Sequence, residues 1–469
     1  MSKALRLRSL VLTSALALSA GCSDFDSAFV YSERTTNLMP EAQDGFEDAP
    51  GVKRLVDDKF GNPQQLKAWL KLPVDFGGSS ATVGEIVADA GGAKVKLVAV
   101  EGVTLPESAK SLQFVSGAAA GQSVGITAWD AKTGEATLAS LPEAAPVAGD
   151  ACSVDGGEVL KQGRVLYMRH CSHCHGSSGD GNGPTAQYLN PRPRDYRNGV
   201  FKFTSTNDLS KVSRDDITRV LKYGIPGTYM PSFLLMEDSE IHAIVEYVRF
   251  LSIRGEYELK LVAELTGDYS VKALESRQEK RSEIVDELKK FLKEDMPGAA
   301  TGAGDELAEQ WTAANTEEAR IIPSVPRVPD TEESRRKGRE LYLSKTLNCA
   351  DCHGIDGAGN GPQTMAFEDK AHPITGVKYS EPGLHDAWGN LNQPRNLQTG
   401  IFRGGRRPID LFCRIHAGIK GSAMPSFKNT AHEDIWHIVN YVLSIQFESE
   451  PGSAGVAAAA TPAPAAGAE

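Results

Sequence analysis

Two stretches of the 469-residue chain set thiols and an imidazole at one spacing: Cys171-Ser-His-Cys-His175 and Cys349-Ala-Asp-Cys-His353. Two cysteines three residues apart, with a histidine directly after the second, form the arrangement that attaches haem c. The thiols add to the porphyrin vinyl groups and the imidazole reaches the iron. One helical turn brings the imidazole beneath the ring that the cysteines hold. A Cys-x-x-Cys is also compatible with a zinc site or a redox dithiol. Zinc calls for a second paired set of ligands and a dithiol for a βαβ context, and the sequence offers neither nearby. Two covalently bound haem c groups, with their irons, are expected: one on Cys171, Cys174 and His175, the other on Cys349, Cys352 and His353.

The elements that must position these motifs recur with them. Gly163-Arg-Val-Leu-Tyr167 precedes the first motif as Gly338-Arg-Glu-Leu-Tyr342 precedes the second. After each comes Gly-Asn-Gly-Pro, at 181–184 and 359–362, and then Pro-Arg, followed by a related run, at 193–202 and 394–403. Gly224-Ile-Pro-Gly-Thr-Tyr-Met-Pro-Ser-Phe233 matches Gly418-Ile-Lys-Gly-Ser-Ala-Met-Pro-Ser-Phe427, and a final apolar block at 241–248 matches 435–442. Six blocks in one order describe a fold that occurs twice. Ile241, Ile244, Val245 and Val248, and likewise Ile435, Ile438, Val439 and Val442, have the spacing of one helix face.

Both repeats resemble class I c-type cytochromes, most closely the haem-c domains of haem–copper oxidase subunits and related respiratory complexes, over about residues 155–254 and 331–448. The resemblance implies a small bundle whose first and last helices cross, 159–169 with 241–251 and 333–343 with 434–445. Gly163 and Gly338 would allow close crossing, with Tyr247 and Tyr441 as neighbours. It implies Met230 and Met424 as the distal iron ligands, 55 and 71 residues after His175 and His353. A neutral thioether favours ferrous iron and raises the potential. The rivals Met236 and Met365 have no counterpart in the other repeat. The Pro184 and Pro362 carbonyls are the implied acceptors for the second imidazole nitrogen, which would fix its tautomer. Arg194 and Arg395 are candidates to pair with haem propionates, because a guanidinium matches a carboxylate in two places. His170, His173, His242, His416 and His437 read as structural or surface residues. Cys152 and Cys413 remain, with their pairing open.

The rest of the chain bounds the function. It is 41% hydrophobic and 24% charged, ordinary for a globular protein. No apolar run reaches the roughly 18 residues of a membrane-spanning helix. A formal charge of −11 speaks against a nucleic-acid partner. Residues 1–21 read as a signal peptide: Lys3, Arg6 and Arg8 precede an apolar run at 9–20. The cysteine that follows resembles the lipid-carrying Cys of bacterial lipoproteins, with Ser19 where that family has Leu. Removing 1–21 takes the charge from −11 to −14. The further divisions are an acidic tether at 22–78, a small β-rich domain at 79–154 and a cytochrome c domain at 155–254. A helical and Pro-containing linker at 255–330, a second cytochrome c domain at 331–448 and a disordered Ala/Pro tail at 449–469 follow. The expected fold class is mainly α, two cytochrome c-like helical domains in tandem behind a β-rich domain.

The resemblance implies an exported dihaem c-type cytochrome that transfers electrons in a respiratory chain, alone or as a subunit of a respiratory complex. Its partners would be redox donor and acceptor proteins, and the membrane through lipidated Cys22 on the periplasmic side. It would be an electron carrier and not an enzyme, or the haem-c subunit of an oxidoreductase complex. The alternative is a dihaem cytochrome c peroxidase-like enzyme, in which one iron exposes an open position.

Overall fold

The computed structural model describes residues 28–89, 92–120, 122–373 and 376–448. The signal segment, Cys22 and the Ala/Pro tail lie outside them. The chain divides into two units: Met1–Phe201 with Leu209–Gly224 and Pro231–Arg320, and Ile321–Glu469 with Lys202–Asp208 and Ile225–Met230. Helix makes up 41% of the described residues. The mainly-α expectation therefore describes the cytochrome-like regions and the helices around them, and not the β-rich part. No helix among the described residues is long and apolar enough to cross a membrane.

In the first unit, residues 28–78 are not a tether. Helices α1 (Glu33–Thr36), α2 (Pro40–Asp44) and α3 (Val52–Phe60) are packed structure. Val52, Val56 and Phe60, at i, i+4 and i+8, are all fully buried. Phe60 meets the rings of Trp69, Phe250 and Tyr257 at 5.4–5.8 Å. The buried Glu258 carboxylate accepts from Ser32 N and Thr35 Oγ1 at 2.7 and 2.5 Å. The scattered acids that suggested a solvated tether sit on the outside of this layer, as in the Lys53–Asp44 pair.

Residues 79–154 close into a barrel of six strands: β1 (Ser79–Asp89), β2 (Gly92–Ala99), β3 (Ser111–Phe114), β4 (Ser123–Asp130), β5 (Glu135–Leu138) and β6 (Ala151–Val154). Their order is β1-β2-β5-β4-β3-β6, all neighbours antiparallel, with β6 pairing back onto β1. Closure leaves no open edge. Ala93, Val95 and Leu97 alternate inward, and Leu112, Phe114, Leu138 and Cys152 join them in the core. The runs at 95–100, 111–115, 123–129 and 135–138 were legible in sequence. The first and last strands, β1 with its register shift between Val83 and Glu85 and β6, were not.

After the barrel come α4 (Glu158–His170), α5 (Ser172–His175), α6 (Arg214–Tyr223) and α7 (Asp238–Tyr269). The 32 residues of α7 make a rod about 48 Å long at 1.5 Å per residue. Every residue of α7 from Ala243 to Glu258 is buried, so it runs through the middle of the unit. Its N-terminal part crosses α4, and the rest carries the α1–α3 layer. The 254/255 boundary thus falls inside one continuous helix. Beyond it lie α8 (Val271–Ser276), α9 (Arg281–Glu294) and α10 (Met296–Ala313). Pro297 sits in the first turn of α10, where its missing N–H costs no helical bond.

The second unit contains α11 (Glu332–Leu343), α12 (Cys349–His353), α13 (Pro408–Ala417) and α14 (His432–Glu448). Its core gathers Tyr342, Phe412, Trp436, Ile438, Val439 and Tyr441. The Pro-containing stretch before α11 is part of this unit and not a free connector. Trp436 Nε1 donates to the Val325 carbonyl, and buried Asn440 takes two bonds from the Arg327 guanidinium at 2.7 and 2.9 Å.

Candidate haem sites

Each Cys-x-x-Cys-His forms its own short helical turn, α5 or α12, at the end of a longer helix. A tyrosine in the last turn of that helix locks the motif. Tyr167 Oη donates to the Gly176 carbonyl at 2.8 Å, and Tyr342 Oη to Gly354 at 2.7 Å. Tyr167 also packs on Tyr247, and Tyr342 on Tyr441, with ring centroids 5.3 Å apart in both. The Gly-Asn-Gly-Pro turn then folds back onto the motif. Gly181 N meets His175 O at 2.9 Å and Gly183 N meets Cys174 O at 3.1 Å; Gly359 and Gly361 do the same to His353 and Cys352 at 2.8 and 3.2 Å. A Cβ on Gly183 would stand 2.4 Å from the Ser172 and His173 carbonyl oxygens, so only glycine permits this approach.

All four motif cysteines are free thiols. Burial, and then the neighbouring Cys174, pushes the Cys171 thiol up to about 12; burial takes Cys349 to about 11 and raises Cys352 as well. A redox dithiol needs the opposite shift, toward a reactive thiolate. Among the described residues, no group of three or more His, Cys, Asp or Glu could hold a metal ion by itself. Burial also holds both imidazoles below their ordinary value, against the pull of the Arg194 and Arg395 backbone respectively. Both therefore stay neutral near pH 7, the form that binds a metal.

His175 Nδ1 donates to a carbonyl at 3.3 Å, which leaves Nε2 for a ligand, but the acceptor is Arg194 and not Pro184. The 193–196 segment crosses beside the glycine turn, with Tyr196 N on Gly179 O at 3.0 Å, and delivers that carbonyl. The Pro184 assignment is corrected accordingly. Pro362 does not serve either: His353 Nδ1 is buried and meets no acceptor at hydrogen-bonding geometry, with the Arg395 backbone the nearest influence on it. Arg395 Nε donates to the Ile401 carbonyl at 3.1 Å. Arg403, which sequence reading missed, lies close enough for the charge on Arg395 to act on it, and its Nε is buried without an acceptor. The repeat alignment held the signal, since Arg403 stands where Lys202 does. Two guanidiniums together with an orphaned donor fit a group that brings carboxylates, as haem does.

The two methionine loops match bond for bond. Ile225 N reaches Met230 O at 3.1 Å, and Ile419 N reaches Met424 O at 3.2 Å. Met230 N donates to Thr228 Oγ1 at 3.1 Å, and Met424 N donates to Ser422 Oγ at 3.3 Å. Both side chains are half-buried, whereas Met365 is 74% exposed. Met236 caps the turn after Phe233. Cys152 and Cys413 are both buried.

The cytochrome c family model matches residues 160–252 and 336–446, the two regions that hold these frames. The chain carries two cytochrome c domains. Such domains imply covalently bound haem c and electron transfer, and the neutral imidazoles, the paired thiols and the unpartnered donors above fit that cofactor. No curated protein matches the chain. Among solved structures, a chain from the reducing HAO-like protein complex of Kuenenia stuttgartiensis is similar at 23% identity and a TM-score of 0.42, over 61% of this chain and 97% of that one. One expectation is corrected by this comparison. Sequence reading set the protein apart from enzymes, whereas this neighbour comes from an enzyme-related complex, and that exclusion is withdrawn. Similarity at this level carries no ligand, activity or assembly over to the cytochrome c domains described here.

Proposed function

We propose that the protein is an exported dihaem electron-transfer protein of a respiratory chain, acting alone or as a subunit of a respiratory complex such as those whose haem-c domains it resembles. The observation that carries this reading is the identical hydrogen-bond frame of the two Cys-x-x-Cys-His turns and of the two methionine loops. When bound, haem c supplies a one-electron ferric/ferrous couple. Cys171, Cys174, Cys349 and Cys352 would hold it covalently. His175 and His353 present neutral imidazoles, and Met230 and Met424 are the distal thioethers. Arg194, Arg395 and Arg403 are candidates for its carboxylates. The peroxidase-like alternative would need the second methionine loop to differ from the first, and no observation favours it.

Two irons per chain are expected, with the chromophore retained on the polypeptide after acid–acetone extraction. One iron, or haem that extracts, overturns the reading. Export and anchoring through Cys22 belong to the same proposal. The full-length protein is expected in the membrane fraction, released only by detergent, and Cys22→Ser in the soluble fraction. Equal partitioning of the two would remove the anchor. Several acyl chains hold a protein stably where one binds marginally.

A further inference from the structure

The two cytochrome c domains differ most between the glycine turn and the arginine segment. Pro184 and Pro193 are 9 residues apart, while Pro362 and Pro394 are 32 apart. The later part of the extra chain is tied down at two points. Gly383 N donates to Ala366 O at 2.9 Å, beside the turn that follows Pro362. Ala387 N donates to Gly421 O at 3.0 Å, three residues before Met424. Residues 383–387 thus run from the turn after Pro362 to the methionine loop of the same domain.

Within that segment lies an imidazole built into place and left with one open nitrogen. His385 is 2% exposed. Its Nδ1 and its backbone N both donate to Glu368 Oε2, at 2.9 and 3.0 Å. Its ring stacks on Tyr379 with centroids 3.6 Å apart and planes 9° apart. Its Nε2 is buried with no partner, as is the Tyr379 hydroxyl. A buried polar atom without a partner is costly, and a ring fixed by a carboxylate and a stacked aromatic has no freedom to turn it toward water. The charged and titratable groups around it are Glu368, Lys370 (Nζ on Glu368 Oε1 at 2.9 Å and on the His385 carbonyl at 3.1 Å), Asp386, Tyr379 and His372, whose ring is 6.0 Å from Tyr379.

We propose that His385 Nε2 donates a hydrogen bond to a carboxylate of the haem in the second domain, making His385 a positioning residue that sets the potential of this haem alone. This rests on the dihaem reading above. With both ring nitrogens donating, one to Glu368 and one to the haem carboxylate, His385 offsets negative charge near the iron and favours the ferrous state. Losing the donor lowers the potential.

The test is potentiometric titration of the full-length protein carrying His385→Phe, which keeps the stack on Tyr379 but has no donor, and His385→Gln, which keeps a donor. The potential of the second haem, identified as the one moved by Met424→His, is expected to fall in the Phe variant. At a fixed potential its ferric-to-ferrous ratio should rise roughly tenfold, equivalent to 59 mV for one electron. The first haem should not move, and the Gln variant should recover part of the loss. Unmoved potentials in a protein with two covalent haems overturn this proposal alone. One covalent haem in the wild type overturns the dihaem reading, and this proposal with it. Should the Phe variant lose its second haem, His385→Leu takes its place, and an unmoved second potential in that variant decides against His385.

Discussion

Alanine in place of Gly338 is expected to destabilise the second cytochrome c domain, and leucine to unfold it, with Gly163 behaving in the same way in the first. The position is the crossing point of α11 and α14. A Cβ there would lie 2.0 Å from the His437 carbonyl oxygen and 2.8 Å from the Tyr441 Cβ. At Gly163 the corresponding distances are 2.2 Å to the Ala243 oxygen and 2.8 Å to the Tyr247 Cβ. The obstacle is helix backbone, which cannot swing aside as a side-chain end does. On an open helix face Gly→Ala stabilises by about 1 kcal/mol through propensity. Overpacking costs about 1–3 kcal/mol, and separating two helices takes the upper end or more. Since a domain's whole stability is about 5–15 kcal/mol, leucine should be fatal where alanine is only damaging. Urea unfolding followed by far-UV circular dichroism measures both. A higher midpoint for Gly338→Ala would mean that the helices do not cross at this contact.

The axial methionines carry the largest expected effect on function. Met230→His or Met424→His should lower the potential of that haem by a sizeable part of the roughly 0.8 V range that axial ligation commands, because imidazole lacks the thioether's preference for ferrous iron. In the oxidised protein, each Met→Leu change should remove about half of the weak near-infrared sulfur-to-iron band, in line with two equivalent ligands. Met365→Leu should change neither, since that side chain is 74% exposed. Met236→Leu should also be silent. If Met424→Leu left both the band and the second potential unchanged, the ligand would have to be sought elsewhere. His416, whose Nδ1 is buried without a partner and which stacks on Phe412, would be the first candidate.

What could be read from the residues alone was local or repeated. The attachment motifs, the methionine loops and the crossing helices are each written within about a dozen residues, and their recurrence in one order removes chance. Helix periodicity marked the inner faces of α7 and α14 because those faces follow the 3.6-residue turn whatever lies opposite. The carbonyl that orients His175 was not legible. Its identity depends on how the 193–196 segment crosses the glycine turn, and any residue has a carbonyl to offer. Nor was the packing of residues 28–78, whose few apolar side chains look like a tether until the far half of α7 covers them. Ser32 and Glu258, 226 residues apart, meet only in the folded chain. The same holds for His385: nothing in its sequence neighbourhood marks it, and it gains meaning only when folding brings Glu368 and Tyr379 against its ring and leaves Nε2 buried. Side-chain type and spacing decide which chemistry is available. Which polar atom is left without a partner is decided by contacts between distant segments.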